Sequence, residues 1–320
     1  MLKKQKEATA EAVKQISIFQ KGEIVPLKTG ISHLDYHSMG GLYPGTVLGI
    51  VALSGHGKTW ELESIMEGVS NNNNSEDFVV LNCNWEIETF KQIVRDLSKS
   101  TGKTVEQILL NLPSDADKMK YSEALVKHRK DNVYIQSEPA NPKTFIEDVT
   151  ELIQKYPDKQ LIVSIDNLEN VLTEGKNQKE VMDDIIRAIN ILKKQHKYIV
   201  FIILNQMNRE IESRTDPVQH FPRESDIYGT SSFFKLCDIV FAKHLPYKLG
   251  IKDYGLFPKD RFKYLEQSFI KEGAGKNNKF LGMGNGFIHY LKSRSVGEEY
   301  DRKDLYGLKI FDAPEPPARD

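Results

Sequence analysis

The stretch Val47-Leu48-Gly49-Ile50-Val51-Ala52-Leu53-Ser54-Gly55-His56-Gly57-Lys58-Thr59 limits what this chain can fold into. An apolar run suited to a buried strand breaks into a short glycine-containing loop that ends in Gly-Lys-Thr, and Leu62, Ile65 and Met66 follow at helical spacing. A strand, a loop and a helix in that order hold a nucleotide polyphosphate. The loop's backbone N–H groups form a concave anion nest, and the helix points its positive end at the same place. Ser54, Gly55, His56, Gly57, Lys58, Thr59 and Trp60 are therefore the candidate nucleotide-binding residues. Lys58 reaches the β- and γ-phosphates and the Thr59 hydroxyl ligates Mg²⁺, so ATP and Mg²⁺ are the expected ligands. Gly57 lets the backbone bend close to the phosphates. Ala52 stands where such loops usually carry their first glycine, and a side chain that small still fits.

At 320 residues the chain has room for one large domain or two smaller ones. Its 39% hydrophobic and 28% charged content is that of an ordinary globular protein. A net charge of −1 argues against a broad basic coat for duplex DNA but leaves room for a narrow charged channel. No apolar run approaches the ~18 residues of a membrane span. The basic start Met1-Leu2-Lys3-Lys4-Gln5-Lys6 has no apolar segment behind it and does not read as a secretory signal. Cys83 and Cys237 have no partner spacing for zinc, and two free thiols fit core packing in a reducing, cytoplasmic setting.

Residues 3 to 20 read as an amphipathic helix, with Ala8, Ala12, Ile16 and Phe19 at helical spacing. Too short to stand alone, it is expected to dock on its own domain or on a neighbouring subunit. Apolar runs then recur at Thr46–Ser54, Phe78–Asn82, Val133–Gln136, Leu161–Ile165, Ile199–Leu204 and Asp238–Ala242. Between them, Pro142–Tyr156 follows Asn141 as helix cap, and Glu180–His196 carries Val181, Ile185, Ile189 and Leu192 on one face. This rhythm predicts an α/β fold with a twisted, mostly parallel sheet flanked by helices. Asn71–Asn74 reads as a solvated loop, and 245–286 as an insertion or mobile loop. Gly286–Leu291 and Leu305–Phe311 read as closing antiparallel strands. The expected division is a docking helix at 1–26, a motor-type domain at 27–312 and a tail at 313–320.

Hydrolysis needs further groups on the edge where the phosphate loop lies. Leu161–Ile165 runs into Asp166, which has the form of a Mg²⁺-holding strand end. Glu86, just past the Phe78–Asn82 strand, is placed to activate the attacking water, with Glu88 as its rival. Ile199–Leu204 delivers Asn205 and Gln206 to the same edge, where an amide can sense the γ-phosphate.

Together these residues resemble the RecA-fold motor domain of DnaB-family replicative helicases. Leu27-Lys28-Thr29-Gly30-Ile31-Ser32-His33-Leu34-Asp35 and Gly40-Gly41-Leu42-Tyr43-Pro44-Gly45 look like that family's lead-in to its phosphate loop. Asn84-Trp85-Glu86 sits where the family has its base, and Asn205-Gln206-Met207-Asn208-Arg209 is similar to its sensor motif. Arg223-Glu224-Ser225-Asp226 through Cys237-Asp238-Ile239-Val240 resembles its DNA-loop segment and the next strand. Lys292-Ser293-Arg294 resembles its late Lys-x-Arg pair, which acts on the neighbouring subunit's nucleotide.

The resemblance spans residues 27 to 312 and implies a RecA-like P-loop NTPase. It also implies an ATP-dependent helicase that forms a hexameric ring and moves 5′→3′ on single-stranded DNA. Glu86 would be the base, Asp166 the metal ligand, Gln206 the sensor, and Lys292 and Arg294 the trans-acting pair. Lys176, Lys179, Arg209, Arg214 and Arg223 are the candidate DNA contacts. A primase or a helicase loader is the implied further partner, and a phage origin would fit so compact a protein. The family's N-terminal domain has no counterpart in these residues, and the helix of 3 to 20 stands where the family has its linker helix. Asn167-Leu168-Glu169 is an unusual continuation after Asp166, and the interval from Asp238 to Lys292 is long, at 54 positions (292 − 238). A RecA-type recombinase and a nucleotide-switched accessory module are the competing expectations.

Overall fold

Apolar periodicity and helix caps divide the chain into the elements of an α/β layer structure. The computed structural model describes residues 4–128, 130–196, 198–214, 220–229, 231–251, 287–294 and 309–310. It opens with α1 (Gln5–Gln20), on which Val13, Ile16 and Phe19 are exposed. Phe19 meets Tyr43 at a ring distance of 5.5 Å, while the rest of the apolar stripe faces solvent. After α2 (Ser32–His37) come β1 (Val47–Ala52), α3 (Lys58–Asn72) and β2 (Phe78–Asn84). Then follow α4 (Thr89–Thr101), α5 (Val105–Leu110), α6 (Asp115–His128), β3 (Val133–Gln136) and α7 (Pro142–Lys155). The chain continues through β4 (Gln160–Asp166), α8 (Gln178–Gln195), β5 (Ile199–Gln206), α9 (Ser231–Leu236), β6 (Ile239–His244), β7 (Phe287–Ser293) and β8 (Lys309–Ile310).

The strands form one sheet in the order β3-β2-β4-β5-β1-β6-β7-β8. All pairings from β3 to β6 are parallel, and β7 and β8 close the sheet antiparallel. Alternation along β1 splits the core between two faces. Val47 and Val51 pack with Phe145 and Val149 of α7, Ile185 and Ile189 of α8 and Phe233 of α9. Leu48 and Ile50 pack with Leu62, Ile65 and Val69 of α3. Burying each such side chain contributes roughly 1.5–3 kcal/mol, which is why the central strands need no polar alternation. Among the described residues no helix is long and apolar enough to cross a membrane.

Several local expectations change. Asn71–Asn74 is largely exposed as expected but only partly a loop: Asn71 and Asn72 finish α3, and Asn73 brackets the lead-in segment. The Asn73 amide accepts from Lys28 N (3.0 Å) and donates to Lys28 O (2.8 Å), so its polarity serves a backbone clamp. The same segment presses on α3 at Gly68, where any Cβ would lie 1.8 Å from Thr29 O. Helices α4, α5 and α6 fill the crossover to β3, and they expose Phe90, Ile93, Leu109, Leu110, Leu112 and Met119 on or beside them. Of the expected 245–286 insertion, Pro246–Leu249 is a 3₁₀ turn. Residues 252–286 and the 313–320 tail lie outside the described residues, as do Gly286, 305–308 and Phe311 of the expected closing strands. Cys83 and Cys237 are buried, free thiols in the core, and burial pushes Cys237 up to about 12.

Candidate active site

Parallel register brings the ends of β1, β4 and β5 to one edge. Ala52 is level with Gln206, and Asp166 with Asn84. The chain leaves β1 through Leu53–Gly57, where Gly55 (φ +73°) and Gly57 (φ +86°) take the left-handed conformation that curls N–H groups into a nest. No side chain caps α3 at Gly57, so the first N–H groups of that helix stay directed at the loop mouth. Ser54 and Gly55 are exposed on the rim.

Lys58 is buried, and its Nζ donates to Ala52 O at 3.2 Å. Burial pulls its ammonium below the usual range, against the raising pull of Glu169, Glu86 and Asp166. The Thr59 hydroxyl donates to Asp166 Oδ2 at 2.8 Å. Asp166 Oδ1 is buried with no hydrogen-bond partner among the described residues. Burial lifts the Asp166 carboxyl to about 6; the Thr59 hydrogen bond works against this and Glu86 adds to it. A desolvated carboxylate with one open oxygen, beside a threonine hydroxyl, suits a hard divalent cation. Mg²⁺ fits this donor set, held by Thr59 and Asp166, and when bound it would neutralise β- and γ-phosphate charge.

The backbone N–H groups of Trp85 and Glu86 donate to Asp166 O (2.7 and 3.2 Å), which folds the turn after β2 over the end of β4. Glu86 is exposed there, within the field of Lys58 and Asp166. Glu88 instead sits at the start of α4 and pairs with Lys91 at 3.3 Å, so of the two rivals Glu86 faces the loop. Gln206 accepts from Tyr228 N at 2.8 Å, and Asn205 Nδ2 donates to Tyr228 O at 2.9 Å. The end of β5 is thereby tied to the segment that carries Arg223.

Two of the loop residues are placed differently from a phosphate-facing set. The His56 side chain turns inward, and its Nδ1 accepts from Leu245 N at 3.1 Å. Burial holds it down to about 4, helped by Lys248 and Lys58. Trp60 is half exposed beneath the Lys243 ammonium, 4.4 Å from its ring centre. Sequence spacing also missed several neighbours. Lys243 pairs with Glu61 at 2.6 Å under the loop, and Lys248 Nζ donates to Gly55 O. Glu169 follows β4 on a 3₁₀ turn. Behind His56 lies a buried row of rings, with His244 at 5.6 Å and then His289 at 6.4 Å from His244. None of these forms a motif along the chain, and folding alone brings them together.

Lys292 and Arg294 fall at the opposite edge. Lys292 pairs in register with Val240 near the start of β6, and Ile239 is level with Leu48. From Leu48 to the phosphate loop is about 13 Å along β1 alone, so the pair cannot serve its own loop. Lys292 Nζ donates to Phe234 O, and Arg294 donates to Asp238 Oδ1 (3.2 Å) and Lys235 O (2.8 Å). Of the DNA candidates, Lys176, Lys179, Arg209 and Arg223 are exposed. Arg214 is not: its guanidinium pairs with buried Asp226 and donates to Phe221 O at 3.4 Å. It braces the loop, in contrast to the expected DNA contact.

Comparison with known proteins bears on this arrangement. The solved structure described as "ATPase Domain of G40P" aligns with a TM-score of 0.67 at 18% identity, covering 93% of each chain. A second, described as "The Structure Of A DnaB-Like Replicative Helicase And Its Interactions With Primase", gives a TM-score of 0.64 at 18% identity and covers 92% of this chain and 62% of that one. At such identities the likeness is one of fold. Among curated proteins none matches. The family model for the DnaB-like helicase C terminal domain matches residues 26–249, most of the chain, and it is to that family that this protein belongs.

Proposed function

We propose that this protein is the motor of a replicative DNA helicase that hydrolyses MgATP between subunits of a ring. It draws single-stranded DNA through the centre in the 5′→3′ sense and works in the cytoplasm. The observation that carries this reading is the split of the site. Lys58, Thr59, Asp166, Glu86 and Gln206 share one sheet edge, while Lys292 and Arg294 stand on the other, out of reach of their own loop. A cation delivered across an interface stabilises charge in phosphoryl transfer and ties turnover to assembly. Two exposed apolar surfaces, the stripe on α1 and the patch on α4–α6, are suited to pack against each other in adjacent copies. Lys176, Lys179, Arg209 and Arg223 are the DNA-facing set, with a primase or a loader as a further partner.

Strand displacement on forked DNA tests the reading. Unwinding is expected with ATP, to depend on a 5′ tail, and to stop with a non-hydrolysable analogue. Strand pairing on open filaments would favour a recombinase, and ATP binding without turnover an accessory switch. Mixing an Arg294→Ala variant into wild type should lower ATP turnover more steeply than dilution; a strictly proportional fall argues against an interfacial finger.

A further inference from the structure

Glu169 lies three residues past Asp166, on the 3₁₀ turn Leu168–Asn170 that follows β4. The sheet order places β4 between β2 and β5, so this turn stands one strand nearer the phosphate loop than the turn carrying Glu86, about 4.8 Å. Among the carboxylates acting on Lys58, Glu169 acts most strongly. Its main chain is fixed from both sides: its N–H donates to Asn167 Oδ1 at 3.3 Å, and Gln178 Nε2 donates to its carbonyl at 2.6 Å. Burial raises the carboxyl above its usual range, and the positive field of Lys58 and of the Gln206 backbone N–H, which itself donates to Asn205 Oδ1 at 3.0 Å, works against that rise. Its Oε1 atom is buried and has no hydrogen-bond partner among the described residues. A rigidly mounted acceptor left open inside a site is costly unless something arrives to use it.

We propose that Glu169 is a second water-holding carboxylate at the γ-phosphate, working beside Glu86. The inference rests on the hydrolytic reading above. In that step the water oxygen bonds to the γ-phosphorus, and the bond from that phosphorus to the bridging oxygen breaks. The electron pair leaves on ADP, and the water's proton passes to Glu86. Glu169 Oε1 accepts a hydrogen bond from the same water and fixes its line of approach. The end of β5, whose Gln206 backbone acts on the same carboxylate, lies beside this turn in the sheet order. The structural alternative is that Glu169 merely balances the charge of Lys58.

The two are separated by Glu169→Gln in the full chain, assayed with MgATP and single-stranded DNA beside wild type and Glu86→Gln. The glutamine keeps the size and one acceptor oxygen but loses the charge. The expected result is a kcat lowered about 10²-fold, with KM, affinity for a fluorescent non-hydrolysable ATP analogue and melting temperature unchanged. A kcat within threefold of wild type overturns the proposal, as does a loss of analogue affinity equal to the loss of kcat. If the glutamine variant melts early, Glu169→Asp decides: a wild-type kcat from that shortened acid overturns the role. Wild-type turnover with an inactive Glu86→Gln and a normal Glu169→Gln sinks this inference alone. A wild type that hydrolyses no ATP sinks the hydrolytic reading and the inference with it.

Discussion

Replacing Lys58 by alanine is expected to lower kcat/KM for ATP by about 10³-fold, equivalent to roughly 4 kcal/mol of transition-state stabilisation. Lys58 is the cation that emerges inside the loop, and its neighbours cannot replace it. Lys243 is neutralised by Glu61 at 2.6 Å, and Lys248 is engaged with the Gly55 carbonyl. Without Lys58, the carboxylates of Glu169, Glu86 and Asp166, all of which act on it, would face the polyphosphate uncompensated. Binding and turnover should therefore fall together. Phosphate release at saturating single-stranded DNA, with fluorescent-nucleotide binding in parallel, measures both. Near-normal hydrolysis by the variant would remove the phosphate-loop assignment.

Mild acid is expected to destabilise the protein, chiefly through its buried histidines. Burial holds His56 near 4 and His289 near 3, and His244 well below the ordinary value of 6.5. A histidine depressed in the folded state binds its proton more readily in the unfolded chain, so its stabilising contribution is present above 6.5 and drains away as pH falls toward the folded value. From pH 7 to 5, His56 and His289 together remove about 4 kcal/mol. Asp166, lifted to about 6, acts in the opposite sense, taking up a proton in the folded state as pH falls through 6. It returns about 1 kcal/mol over the same interval. The net expected loss is about 2–3 kcal/mol, readable as a shift of the urea midpoint at pH 7, 6 and 5. His289→Phe should flatten the trend, and a midpoint indifferent to pH would refute the account.

The parts of the molecule legible from its amino acids are those where local and tertiary forces agree. Strands buried on both faces must be apolar throughout, so β1, β2, β4 and β5 were visible as runs, and Asp166 and Gln206 as the polar residues that end them. The parallel sheet closed by an antiparallel edge followed. Where polarity had a structural use, the reading failed. The Asn71–Asn74 tract looked like solvent-facing loop because asparagine is poor in helices, yet Asn73 spends its amide on the Lys28 backbone. Arg214 looked free because its partner, Asp226, lies twelve residues on and is buried only after folding. Helices α5 and α6 expose so many apolar residues, among them Val105, Leu109, Leu110, Met119 and Val126, that no clean amphipathic face marks them. Asn167-Leu168-Glu169 is an unusual continuation after Asp166, but nothing in a linear spacing says that a 3₁₀ turn swings Glu169 toward Lys58.

The clamp between α3 and the lead-in segment has a mechanical corollary. Lys58 and Thr59 form the head of α3, while Gly68 and Asn73 at its tail grip Thr29 and Lys28, just beyond α1. The 15 residues between make a rod of about 22 Å. A displacement felt at the loop end of α3 is thus conveyed along one continuous helix to the Lys28–Thr29 segment.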